Sequence, residues 1–155
     1  MSLPPRFAGL SGEWKGTKRL YLNGESGPVR ESVSRMTIAR AARETFLLLA
    51  YSWKFDGEPH EGLLMLGYDE VQNSATAAWG DSWHMSKKIM HCAGTIDGGN
   101  TFNVCGGYEA PPDPNWGWRI ALCIHAADSM ALVMHNISPD AKEELAVKAD
   151  FKRVG

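Results

Sequence analysis

The residues best equipped for chemistry stand together halfway along the chain, in Ala78-Trp79-Gly80-Asp81-Ser82-Trp83-His84-Met85. Extended as a strand, this stretch places Trp79, Asp81, Trp83 and Met85 on one face and Gly80, Ser82 and His84 on the other. A carboxylate then lies between two indoles. If that row faces a core, Asp81 requires a partner, because an unpaired buried carboxylate costs several kcal/mol or stays protonated. The basic residues on inward rows of other strands are Lys18 and Arg35, and Asn136 shares a face with Met130, Leu132 and Met134. Two roles are open to Asp81 with such a partner: a structural salt bridge, or a pair that orients a ligand.

His84 closes this stretch, where a small bulge would turn its ring inward. A weak acid beside an imidazole also admits general acid and base work, the reading in which a small hydrolase or isomerase uses Asp81 with His84. Of the remaining histidines, His91, His125 and His135 alternate with the more apolar row of their strands and are expected to face outward. None of the five, His60 included, has metal-ligand spacing, so no metal is expected. Nucleophile elbow, phosphate loop and dinucleotide fingerprint are all absent from the sequence.

Strand parity turns six indoles inward: Trp14, Trp53, Trp79, Trp83, Trp116 and Trp118, with Tyr51 on the same row as Trp53. Any one of them reads as core filling. As a set they say more, because each indole N–H needs a partner, which suits an interior that is partly polar or occupied.

The elements that must position these residues are short strands. Thr45, Leu47, Leu49, Tyr51, Trp53 and Phe55 share one face, as do Trp116, Trp118, Ile120, Leu122 and Ile124. Trp14, Gly16, Lys18, Leu20 and Leu22 form a similar row with one basic intruder. Asn23 to Pro28, Asp56 to Pro59 and Asp97-Gly98-Gly99-Asn100 carry turn chemistry, whereas Glu109 to Asn115, with three prolines, reads as one long irregular connection. A short strand is expected from Gly62 to Asp69. Residues 1–11 form a loose lead-in with one helical turn at Arg6 to Leu10. The sum is about ten strands at roughly 8 to 14 residue spacing, without a sustained helical period. Tight turns make consecutive strands antiparallel, and a meander of this length closes most readily into an up-and-down barrel, a two-sheet sandwich being the alternative.

At 155 residues the chain has the size of a single domain, residues 1–155, large enough for a core without staples. Its 16 basic and 18 acidic residues are scattered, leaving neither a footprint for nucleic acid nor a basic membrane patch. Cys92, Cys105 and Cys123 are an odd number of thiols inside apolar segments and are expected free. With no leader-like start or membrane-length apolar run, a cytoplasmic setting is expected.

Several motifs carry a family resemblance. Gly12-Glu13-Trp14-Lys15-Gly16 resembles the Gly-x-Trp-x-Gly opening of lipocalin-like barrels. Gly67-Tyr68-Asp69, the Trp79 to Trp83 stretch, Gly94 with Asp97-Gly98, and the closing Lys148 to Arg153 are similar to domain-of-unknown-function family 1579. The resemblance implies an all-β, about ten-stranded calycin-type barrel and brings no activity with it. The opening motif also resembles nitrobindin, a haem-carrying barrel. That implies haem on a late-strand histidine, for which His125 and His135 offer no surrounding motif.

The expectation is therefore a barrel that binds a small, largely apolar or amphipathic molecule in its centre without a resident cofactor. Its contacts are Trp14, Lys18, Tyr51, Trp53, Trp79, Asp81, Trp83, His84, Trp116 and Trp118. The alternatives are the haem barrel, the Asp81–His84 enzyme, and a filled barrel with a structural role or a place in a homodimer.

Overall fold

The computed structural model describes residues 3–155. A four-residue helix, α1 (Pro5–Ala8), precedes ten strands: β1 (Gly12–Tyr21), β2 (Val29–Ala41), β3 (Phe46–Phe55), β4 (Glu58–Asp69), β5 (Ser74–Asp81), β6 (Met90–Asp97), β7 (Thr101–Ala110), β8 (Asp113–Ala126), β9 (Ser129–Ile137) and β10 (Glu143–Arg153). Every strand pairs antiparallel with its neighbours in sequence, and β1 pairs with β10 to close the ring. This is the up-and-down barrel that the alternation predicts. In β3 the inward row Leu47, Leu49, Tyr51 and Trp53 is buried, because a closed sheet removes one face of each strand from water. Cys92, Cys105 and Cys123 are all free.

The two ends of the barrel are built differently. One is plugged: Leu3, Phe7 and Leu10 are buried, and Phe7 meets Phe102 edge-on at 6.1 Å. Trp14 donates its indole N–H to the Leu10 carbonyl at 2.9 Å. The Arg153 guanidinium lies 4.4 Å from the Trp14 ring centre and donates to the carbonyls of Gly9, Ser11 and Ala127. The lead-in is thus a packed stopper from Leu3 onward rather than a loose segment, since an open barrel end would leave this apolar row wet. Met1 and Ser2 lie outside the described residues.

The other end is open, and two hairpins overhang it. β4 begins at Glu58, not Gly62, because Asp56 and Gly57 adopt positive φ values of 48° and 84° and make a two-residue turn. Pro59 is tolerated there because β4 pairs with β5 only from Gly62 onward, leaving that edge of the overhang free. The same holds at Glu109 to Asn115, expected as a long irregular loop. Ala110 pairs with Asp113 across a turn at Pro111-Pro112, and Pro114 sits in β8 ahead of Gly117, where pairing with β9 begins. Proline excludes a central ladder position, not a one-sided lip.

Arg35 departs from the reading: it is exposed, and its neighbours Ser34 and Met36 are the buried residues of β2. The inward row of that strand is Ser34, Met36 and Ile38, which leaves Lys18 as the buried base of the barrel.

Candidate functional site

The site starts from a three-strand alignment. Tyr51 of β3 pairs with Gly62 of β4, and Gly62 pairs with Asp81 of β5. A Cβ on Gly62 would lie 2.1 Å from the Tyr51 ring, so only glycine lets that ring cross β4. Tyr51 uses the passage to donate its hydroxyl to Asp81 Oδ2 at 2.7 Å. Trp53 donates to the same oxygen at 3.2 Å, and Trp79 donates to the Tyr51 oxygen at 2.9 Å. Three aromatic groups that each need a hydrogen-bond partner therefore converge on one carboxylate.

The second oxygen sets the loop. Asp81 ends β5, and its Oδ1 accepts the backbone N–H groups of Trp83 at 2.8 Å and His84 at 3.2 Å. Aspartate favours such turns, and here the turn breaks the alternation that the sequence continues through Met85. Trp83 consequently leaves the inward row. It is 36% exposed at the rim, packed on Phe55 at 5.1 Å and on Trp53 at 5.7 Å between ring centres. His84 swings inward in its place, by a turn and not by the bulge expected.

The His84 ring is surrounded by four indoles, with centres at 4.8 Å for Trp83, 5.5 Å for Trp79, 5.5 Å for Trp118 and 5.7 Å for Trp53. Its Nε2 faces Lys18 Nζ at 3.5 Å, and that nitrogen also sits 3.3 Å from the Trp53 ring centre. Lys18 is thus held by a π face and an imidazole. No ion pair within 4 Å joins it to Asp81 among the described residues, so the salt bridge weighed for Asp81 is not formed.

Burial governs the charges. It lowers Lys18 to about 7 against the opposing pull of Asp81, and with help from Lys18 it lowers His84 to about 3, leaving the imidazole neutral at physiological pH. Burial would raise Asp81, but His84, the Tyr51 hydroxyl, the Trp83 amide and Lys18 outweigh it and hold the carboxyl below its usual range. Burial and the neighbouring carboxylate push the Tyr51 phenol well up, so it stays a donor. Asp81 meets His84 through the backbone amide and not the ring, so the two form no acid–base dyad.

Three hollows share His84 as a wall. One of about 330 Å³ is bounded by Leu20, Trp83, Trp116, Trp118, Asn136 and Leu145, among others. One of about 130 Å³ lies between Trp79, Met90, Tyr108 and Trp118. The third, about 410 Å³, runs past Met85 and Ile89 to Tyr108. All lie at the open end, above the Tyr51–Trp53–Trp79 level, and not at the barrel's middle. A wider hollow of about 600 Å³ lies on the outer wall beside Leu63, Met65 and Ile89 and reaches Trp79, Gly80 and Asp81 from outside the barrel.

Of the residues expected to meet a ligand, Trp83, His84, Trp116 and Trp118 line the mouth, and Trp79 reaches the smallest hollow. Lys18, Tyr51, Trp53 and Asp81 form the supporting layer beneath. Trp14 belongs to the plugged end. Tyr108 and Asn136 were not among the expected contacts; the Tyr108 hydroxyl donates to Asn136 Oδ1 at 2.6 Å on the mouth wall. Asn136 was legible as a polar residue on the row of Met130, Leu132 and Met134. His125 is exposed and His135 has the parity opposite to Met134 and Asn136, so neither late-strand histidine presents its ring to the lumen as the haem alternative requires.

Fold and site together define a closed ten-stranded up-and-down barrel with one stopped end and an aromatic, partly polar mouth. The family model described as a protein of unknown function, DUF1579, matches residues 5–153, and the chain belongs to that family. No curated protein matches it. Among solved structures, Rv2717c from M. tuberculosis is similar at 14% identity and a TM-score of 0.67, covering 99% of this chain and 100% of that one. The S-type phycobiliprotein lyase CPES from Guillardia theta is similar at 13% identity and a TM-score of 0.67, covering 100% and 94%. A redesigned β-barrel follows at 13% identity and a TM-score of 0.52. At these identities the likeness is one of fold. No helix among the described residues is long and apolar enough to cross a membrane.

Proposed function

We propose that this protein binds a small, largely apolar molecule at the barrel mouth, against His84 and the indoles of Trp83, Trp116 and Trp118. The observation that carries the reading is the convergence of three hollows on one neutral imidazole, two of them, of about 330 and 410 Å³, in the size range of small-molecule sites. The state of the indoles supports it. Trp14, Trp53 and Trp79 each spend their N–H on a protein acceptor, whereas the buried Trp118 N–H has none. Trp118 is held by stacking on Trp79, at 5.5 Å and 9° between planes, so it is the one of these four that can re-seat without breaking a hydrogen bond. A barrel of the same fold is named a phycobiliprotein lyase, so this architecture serves roles beyond structural filling.

The test is untargeted mass spectrometry of extracts from natively purified protein, beside a Leu145→Trp variant that fills the mouth. A molecule enriched in the native extract and absent from the variant is expected. Identical extracts, together with a denaturation midpoint that small aromatic compounds fail to raise in either protein, would overturn the reading.

A further inference from the structure

Beside His84 the mouth holds side-chain hydrogen-bond donors that no protein group accepts, and these select the ligand's polar group. His84 makes one side-chain hydrogen bond, between its Nε2 and Lys18 Nζ at 3.5 Å. Below about pH 7 Lys18 is an ammonium on the Trp53 π face, and an ammonium has only protons to give. Nε2 is then the acceptor, and the neutral ring carries its proton on Nδ1, which has no protein partner. Asn136 follows the same logic: its Oδ1 accepts from Tyr108, so its amide N–H groups are the part left over. Asn136 and Trp118 are register partners across β8 and β9, so the spare amide and the unpartnered indole N–H belong to one wall, and His84, its ring centre 5.5 Å from that of Trp118, lines the same 330 Å³ hollow. The carboxylate among the lining residues is Glu144, exposed at the outer lip beside Gly24.

We infer that the ligand is a flat apolar molecule carrying an acceptor oxygen, a carbonyl or a carboxylate, which takes hydrogen bonds from His84 Nδ1 and the Asn136 amide while its body lies among Leu20, Trp83 and Trp116. This rests on binding at the mouth as proposed above. An amine or ammonium set between His84 Nδ1 and the Asn136 amide would meet two donors and leave both unpaired, and groups left without a partner in a desolvated site are what make such pockets discriminate.

Three isosteric probes test it by calorimetry at about pH 6, where Lys18 is protonated: naphthoate, acetylnaphthalene and naphthylmethylammonium. One or both oxygen-bearing probes should bind at least about tenfold tighter than the ammonium, as one charge-assisted or buried hydrogen bond allows, and the better of the two shows whether the oxygen is charged or neutral. Asn136→Asp keeps the acceptor for Tyr108 and turns the spare donor into an acceptor, so the tenfold gap should close or invert. Equal binding of all three, or a gap unchanged in Asn136→Asp, would overturn the donor-lined site while leaving mouth binding standing. Failure of every probe to bind or to raise the denaturation midpoint would sink both.

Discussion

The two ends of the barrel solve the same problem in opposite ways. Each has a tryptophan on an inward row, Trp14 at one end and Trp118 at the other, and each is bordered by a basic group over an indole, Arg153 over Trp14 and Lys18 over Trp53. At the plugged end every polar group named finds a backbone partner, and the helix α1 fills the remaining space. At the mouth the polar groups are tied to one another through Asp81, and the outermost donors are left over. The difference teaches that aromatic richness alone does not mark a site. The mark is where the hydrogen-bond partners run out.

The comparison makes Asp81 the keystone of the mouth, and its removal should have the largest effect. Asp81→Asn replaces one acceptor oxygen by an amide nitrogen and should lower stability in chemical denaturation by about 1 to 3 kcal/mol for each donor left unpaired, two at either oxygen. Amide exchange at Trp83 and His84 should quicken more than at Trp14. A loss similar to that of an ordinary surface change would mean that the mouth does not hang on this carboxylate.

Titration separates the ends next, because Lys18, His84 and Asp81 all lie under the mouth. Lys18 titrates near 7 in the folded protein and near 10.5 when unfolded, so between those values the unfolded chain binds more protons and stability rises with pH. His84, lowered from 6.5 to about 3, adds a rise across that lower window. Asp81, held below 3.8, contributes stability that is lost as acid protonates it. All three predict a protein that weakens toward acid and still gains above neutrality. Denaturation midpoints should climb in the native protein and stay flat in Lys18→Met from pH 7 to about 8.5, below the range where the Cys92 thiol, raised to about 11 by burial, adds the opposite slope.

Gly62→Ala probes the passage under Tyr51. The added methyl displaces the phenol ring, and overpacking of this kind costs about 1 to 3 kcal/mol. The same substitution at Gly57, where an added Cβ meets nothing within 4 Å, introduces only the strain of its positive φ. Equal losses at the two sites would show that Tyr51 does not need the gap.

The smallest effect is the sharpest contrast. Trp79→Phe removes a buried hydrogen bond to Tyr51 and should cost about 1 kcal/mol more than Trp118→Phe, which deletes an N–H that has no partner. Equal melting shifts would mean that the Trp118 N–H is satisfied after all.

Alternation made the barrel legible, because in a closed sheet burial has period two and Leu47 to Trp53 or Trp118 to Ile124 can be read directly. It failed where a side chain takes over the backbone. The row Trp79-Asp81-Trp83 continues on paper, but Asp81 captures two amides and ends the strand, so Trp83 and His84 exchange places. The alignment of Tyr51, Gly62 and Asp81 depends on register across three strands, which local pattern does not encode. Gly62, a side-chain gap beside Leu63, Leu64 and Met65, was the available signal. Arg35 shows the reverse error, a polar residue assigned inward where Ser34 and Met36 hold the row.

The Trp14–Arg153 clamp has a bearing on how the molecule comes into being. β1 and β10 are the first and last strands in the sequence, and a Cβ on Gly16 would lie 1.7 Å from the Asp150 carbonyl, so they meet at very close range. During synthesis β1 emerges early and has β2 for company on one edge, while its other edge waits for almost the whole barrel to be made. Until Arg153 has left the ribosome, Trp14 lacks its lid and that edge is open to a foreign strand. The stopper, read as architecture, is then also the last piece of the barrel to be set, and ring closure has the high sequence separation that makes folding slow.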